Sequence, residues 1–198
     1  MSESVLAVNT VELRKLLNLR PFIALPQEEI DRLYAGIEIY SIDHERAETD
    51  PSITQLTIFT VVHYNYSWLT FIKCMPDITN RSTSIRSAGL TGHVHSVGNN
   101  YLFLDDSLKK EVCRIIDDSI LTNAGYHTRL AGLLFDNSDQ YGRSHLGLVY
   151  VARLSRTGVE IKNDGIEKIE LYGTGQLQEF RNQFDCWSRI VIDHIVAL

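Results

Sequence analysis

Two runs rich in β-branched and aromatic residues, Leu56 to Tyr64 and Ser67 to Cys74, meet at Asn65. Such side chains suit a pleated, half-buried surface, and asparagine is a turn former, so the segment reads as a β-hairpin. The turn Asp50-Pro51-Ser52 precedes it, and strand-like runs return at Arg129 to Phe135 and at His145 to Leu154, with weaker signals near Val159 and Ile169. Between them, Asp105, Asp106 and Ser107 offer N-caps for a helix whose Leu108, Val112, Ile115, Ile116 and Ser119 fall on one face. The chain closes on an amphipathic pattern, Leu177, Phe180, Phe184, Trp187, Ile190, Val191 and Ile195, read as one helix covering a sheet face.

Ahead of the hairpin, Asn9 with Glu12 caps a helix carrying Leu13, Leu16 and Leu17. Pro26, Glu28 and Glu29 open a second helix with Ile30, Leu33, Tyr34 and Ile37, stopped around Gly36. The polar segment Ser41 to Asp50 separates these helices from the strands, which places an N-terminal helical extension at residues 1–45 and the main domain at 46–198. The expected fold class is α/β, an α+β sandwich with a mixed sheet between helices.

The composition, 44% hydrophobic and 22% charged over 198 residues, is that of a globular chain with one substantial core and excludes a disordered or fibrous one. A net charge of -6 would repel a nucleic-acid backbone, while leaving a pocket free to hold a small phosphate-containing ligand. No apolar run approaches the roughly 20 residues of a membrane span, and the N-terminus lacks a signal-peptide layout, so a cytoplasmic location is expected, with no membrane partner. Cys74, Cys113 and Cys186 are odd in number and far apart, and read as buried free thiols. A homodimer is compatible with this composition.

Gly89-Leu90-Thr91-Gly92-His93 leads by way of a loop into the carboxylate-bearing helix, and the strands "LAGLLFD" and "GRSHLGLVYV" follow. In that order these features resemble the Nudix superfamily, and in particular a Nudix-like group of phosphoesterases with a Gly-Gly-His loop. Gly142-Arg143-Ser144-His145-Leu146-Gly147 resembles that group's Gly-Arg-x-His-Leu-Gly stretch and is the most specific match. The resemblance covers roughly residues 46 to 195, weighted by pattern order.

The resemblance implies a helix whose glutamates hold Mg²⁺ or Mn²⁺ against a pyrophosphate, because hard cations take oxygen ligands and the metal activates water. This chain departs from that pattern. In the closest register Lys110 stands at the arginine, Glu111 at the first glutamate and Val112 at the apolar site, while Arg114 and Ile115 replace the glutamate pair. A second register takes Arg114 as the arginine and Ile116 as the apolar residue, with Asp118 and Ser119 as the pair and Ile115 in place of the first glutamate. Glu111, Arg114 and Asp118, at i, i+3 and i+7, share one face, so the guanidinium occupies the place of a cation. A solvated, salt-bridged face is the competing reading.

The candidate site residues are therefore Glu111 and Asp118 for metal binding and water activation, with Gly92, His93, Arg143 and His145 for substrate. Arg143 could clamp a phosphate and His145 donate to an oxygen; equally, Gly142 could make a turn, Arg143 lie on the surface and His145 open a strand. The expected function is a Nudix-like domain binding a nucleoside-diphosphate-linked or other pyrophosphate ligand, with hydrolysis weak or lost. One alternative is a non-enzymatic sensor or interaction module. Another is a zinc-dependent hydrolase in which His93 and His95 join His145 or Asp136. Arg46, Glu48 and Asp50 read as solvated charges before a strand, and Tyr64, Tyr66 and Trp68 as core or sheet surface.

Overall fold

The computed structural model describes residues 4–17, 20–24, 36–76, 82–95, 104–123, 125–138, 140–156 and 158–198. In chain order they form β1 (Ser4–Asn9), α1 (Thr10–Leu17), β2 (Phe22–Ala24), β3 (Ile39–Asp43), α2 (His44–Thr49), β4 (Ile53–Tyr64), β5 (Ser67–Pro76), β6 (Ser82–Ser87) and β7 (Leu90–His93). Then come α3 (Leu104–Ser119), β8 (Ile120–Thr122), β9 (Tyr126–Leu134), α4 (Gln140–Ser144), β10 (His145–Leu154), β11 (Val159–Ile161), β12 (Ile166–Gly173), α5 (Thr174–Glu179) and α6 (Cys186–His194). The helices expected from Asn9 and from Asp105 are present; the one expected from Pro26 falls mostly outside the described residues.

A ten-stranded mixed sheet dominates, with the path β12-β5-β4-β10-β9-β2. The hairpin turns at Asn65, whose φ of 51° lies in the left-handed region that asparagine tolerates. β4 is the spine. One of its edges pairs in parallel with β10, from Gln55 opposite His145 to His63 opposite Arg153. The other edge is shared in turn by β1 at Ile53 to Gln55, β7 at Thr57 to Thr60, and β5 at Val62 to Tyr64, all antiparallel. A strand buried on both faces reads as a near-continuous apolar run, which is why β10 and β4 stood out in the sequence.

Side-chain alternation sends the two halves of those runs into two cores. Leu56, Ile58, Leu146, Leu148 and Tyr150 pack with Leu108, Val112, Ile115 and Ile116 of α3. Phe59, Val61, Val149 and Val151 pack on the other face with Leu177 of α5 and Trp187, Val191 and Ile192 of α6. Each fully buried aliphatic or aromatic side chain contributes about 1.5–3 kcal/mol, so the two layers hold the sheet between them. The mixed α+β sandwich is thus present. A third, smaller cluster joins Val5, Ala7 and Ile53 to Ala47 of α2.

Four local expectations change. The segment expected as a helical extension contributes strands: β1 pairs with both β3 and β4. The polar stretch before the hairpin contains α2, capped by Asp43, whose Oδ1 accepts from the Arg46 amide at 3.2 Å. Cys74, Cys113 and Cys186 are free thiols but half-buried, not buried. The closing helix is two helices, broken where Phe184 adopts extended φ and ψ and bridges to Arg86 of β6. Asp185 then caps α6, accepting from the Ser188 amide at 2.7 Å, while its own amide donates to the Arg86 carbonyl at 2.9 Å. Hydrophobic periodicity runs through this break because Leu177, Phe184 and Trp187 bury against the same face.

Asp185→Ala removes a cap from a helix that seals one core, and should lower unfolding free energy by about 1 kcal/mol. Urea denaturation measures this; an unchanged midpoint would show that the Phe184 to Arg86 bridge alone holds the break.

Candidate functional site

The expected site residues fall into two groups on opposite faces of the sheet. The first lies on α3. Arg114 donates to Glu111 Oε2 from Nε at 2.9 Å and from Nη2 at 2.8 Å, and to Asp118 Oδ2 from Nη1 at 3.2 Å. Burial works against the Arg114 charge, but the hydrogen bonds and charges of Glu111 and Asp118 outweigh it and raise its pKa. His95 Nδ1 lies 3.2 Å from the same Glu111 oxygen and 3.1 Å from Arg114 Nη2. It can donate to the carboxylate or accept from the guanidinium, not both.

This donor set does not fit a divalent cation. Glu111 Oε2 already receives two N–H groups, and a fixed positive charge stands between the two carboxylates where the metal's charge would have to go. Among the described residues no group of three or more His, Cys, Asp and Glu side chains is arranged to hold a metal. Glu111 and Asp118, expected as metal ligands, both accept hydrogen bonds from Arg114.

The second group lies on the face covered by α6. β7 pairs with β4 so that Gly92 sits opposite Ile58 and His93 opposite Thr57. Gly92, expected in a phosphate loop, is therefore a strand residue. A Cβ there would come 2.7 Å from Ile115 Cδ1, so its glycine identity is set by the close approach of α3. His93, one residue on, points the other way. Its ring centroid is 5.0 Å from that of His44 and 5.5 Å from that of His145. His145 is fully buried, its Nδ1 2.8 Å from the Tyr141 carbonyl to which it donates, and the Tyr141 ring stacks on it at 4.0 Å.

Glu48 ties the cluster together. Its Oε1 accepts from Gln55 Nε2 at 2.7 Å and lies 3.5 Å from His44 Nε2 and 3.6 Å from His145 Nε2. Burial, then the neighbouring imidazoles of His145 and His44, push the His93 pKa down to about 4, with Glu48 opposing. Tyr141 moves the other way: burial and the charge of Glu48 push its phenol up to about 12. Both groups are thus neutral across the physiological range.

The Gly142 to Gly147 stretch divides between two roles. A Cβ at Gly142 would overlap the Asp136 carbonyl, and one at Gly147 would come 3.0 Å from Trp187, so both glycines serve packing. Arg143 is exposed at the rim of a cleft of about 190 Å³, shared with Arg14 of α1, Glu48, Thr49, Asp50 and Ser144. The segment between β9 and β10 contains α4, which is what brings Arg143 and Tyr141 to the cleft and the cluster.

The zinc set does not assemble. His93 joins His44 and His145, whereas His95 joins Glu111 and Arg114; Asp136 accepts from the Ser138 amide and hydroxyl, each at 2.8 Å. His44 and Tyr141 are residues that sequence reasoning passed over, and Glu48, read there as a solvated charge, joins them. The available signal was the Asp43 cap with His44 and Glu48 at i, i+4, which marks a helix too short and polar to show periodicity.

No family model and no curated protein matches the chain. Among solved structures it is similar to Tm1382, a protein named as a candidate Nudix hydrolase, at 18% identity and a TM-score of 0.81 over 98% of each chain. A Nudix hydrolase from Nitrosomonas europaea matches at 12% identity and a TM-score of 0.52, over 73% of this chain and 89% of that one. A protein from Jonesia denitrificans described as a possible asymmetric diadenosine tetraphosphate hydrolase matches at 8% and 0.50, over 73% and 94%. The chain has the Nudix fold; at these identities the likeness carries architecture, not activity.

The depressed His93 pKa has a definite sign. The unfolded chain takes up this proton near 6.5 and the folded chain only near 4, so stability falls as pH drops through that window and levels off below it. Urea midpoints taken across the window should fall with pH in the wild type and fall less in His93→Gln. Equal slopes would show that His93 is not the group titrating.

Proposed function

We propose that this Nudix-fold chain binds a nucleoside-diphosphate-linked or other pyrophosphate ligand, and that its metal-dependent hydrolysis is weak or lost. The observation that carries the second half is the Arg114 guanidinium held between Glu111 and Asp118. A salt-bridged carboxylate gives up its arginine only at the cost of leaving the partner charges uncompensated, and one at 10% side-chain exposure gives it up least readily. Ligand capture then falls to Arg143 at the rim of the cleft, where a planar guanidinium can hold a phosphate bidentately, with Arg14 across from it.

His145 lies behind that cleft, next to its lining residue Glu48, and the neighbouring His93 stays neutral. Such a protein reads a ligand without consuming it, which merges with the sensor reading. Among the described residues no helix is long and apolar enough to cross a membrane. A cytoplasmic setting and a small-molecule partner belong to the same proposal.

Two measurements test it. Calorimetric titration with Mn²⁺ should show no stoichiometric site in the wild type and a new one in Arg114→Glu, which would place three carboxylates on one face of α3. Phosphate release from a panel of nucleoside diphosphate derivatives with Mg²⁺ or Mn²⁺ should stay at the uncatalysed rate. Turnover abolished by Glu111→Gln would overturn the proposal.

A further inference from the structure

At the other end of the central strands, on the face shared with α6, four strands place a row of side chains side by side. His63 of β4 is opposite Trp68 of β5 and Arg153 of β10, and Arg153 is opposite His127 of β9. Arg129 of β9, opposite Val151, stands on the same face two residues along. Together they line a recess of about 370 Å³ to which Leu198 adds one side. This volume lies within the range of small-ligand sites, roughly 300–1,000 Å³.

The side-chain charge in the recess is of one sign. None of its lining side chains is acidic. Among the described residues neither Arg129 nor Arg153 forms an ion pair, although the chain as a whole carries a net charge of -6. Arg129 and Arg153 are diagonal neighbours on adjacent strands, so an anion between them would relieve their mutual repulsion. His63 is opposite Arg153, and burial together with that positive charge lowers its pKa. Trp68 is buried and fixed, its Nε1 donating to Thr174 Oγ1 at 3.2 Å, and His63 leans on it with ring centroids 4.5 Å apart. The recess therefore offers two unpaired guanidiniums beside a rigid aromatic wall.

We propose that this recess binds a small organic phosphate carrying an aromatic ring, of the nucleoside monophosphate class. The phosphate lies between Arg129 and Arg153, where planar forks from neighbouring strands converge on one anion, and the ring lies against His63, backed by Trp68. The site is separate from α3, which covers the other face of the sheet, and from the Arg143 cleft, which sits at the opposite end of β4 and β10, so it stands whether or not the chain hydrolyses a pyrophosphate.

The test is calorimetric titration of the whole chain with adenosine monophosphate, inorganic phosphate and adenosine. Adenosine monophosphate should bind most tightly. Arg129→Gln and Arg153→Gln should each weaken it about tenfold, the effect of one charge-assisted hydrogen bond, while Arg143→Gln leaves it unchanged. Both recess arginines are exposed, so the variants should keep the wild-type circular dichroism and urea midpoint. No binding of any of the three probes would overturn the proposal, as would binding weakened by Arg143→Gln and not by Arg153→Gln. Equal affinity for inorganic phosphate and adenosine monophosphate would remove the ring from the aromatic wall.

Discussion

The parallel pairing of β4 with β10 is the constraint on which the rest of the molecule depends. Because the register runs unbroken from Gln55 and His145 to His63 and Arg153, side chains two residues apart on both strands point the same way over their whole length. One set meets α3 and the other meets α6. A one-residue slip would exchange the two cores and carry His145 and Gln55 away from Glu48. The free edge of β4 then accepts three short antiparallel partners in sequence, and β7 brings Gly92 to one layer and His93 to the other.

Electrostatics on the two faces follow from that partition. On α3 the carboxylates of Glu111 and Asp118 have a built-in counter-ion in the Arg114 guanidinium. On the α6 face the one carboxylate near the imidazoles, Glu48, is shared by Gln55, His44 and His145 and keeps the cluster in register with α2. Arg14 and Arg143 on the cleft rim, and Arg129 and Arg153 at the distant end, are among the arginines exposed to solvent.

The strands and α3 were legible because burial on regular elements leaves a period in the sequence. Leu108, Val112, Ile115 and Ile116 mark α3, and the continuous run of β10 marks a strand covered on both sides. The break in the closing helix was not legible, since Phe184 and Trp187 bury against the same surface whether or not the backbone between them is helical. α2 and α4 were missed for a different reason. Helices of five or six residues carry too little pattern to register, and they are held by Asp43, Ala47 and contacts to the sheet.

By itself the sequence determined the layer architecture and the identity of Arg114 as the residue standing among the α3 carboxylates, because helical spacing at i, i+3 and i+4 is local geometry. Only the tertiary structure decided which distant residues meet. His44, His93 and His145, and likewise His63, Arg129 and Arg153, come from elements separated by many residues, and their meeting is fixed by strand register and packing, which leave no local signature. For the same reason Gly92 and Gly142, which read as loop glycines, are glycines because α3 and the Asp136 backbone come too close for a Cβ.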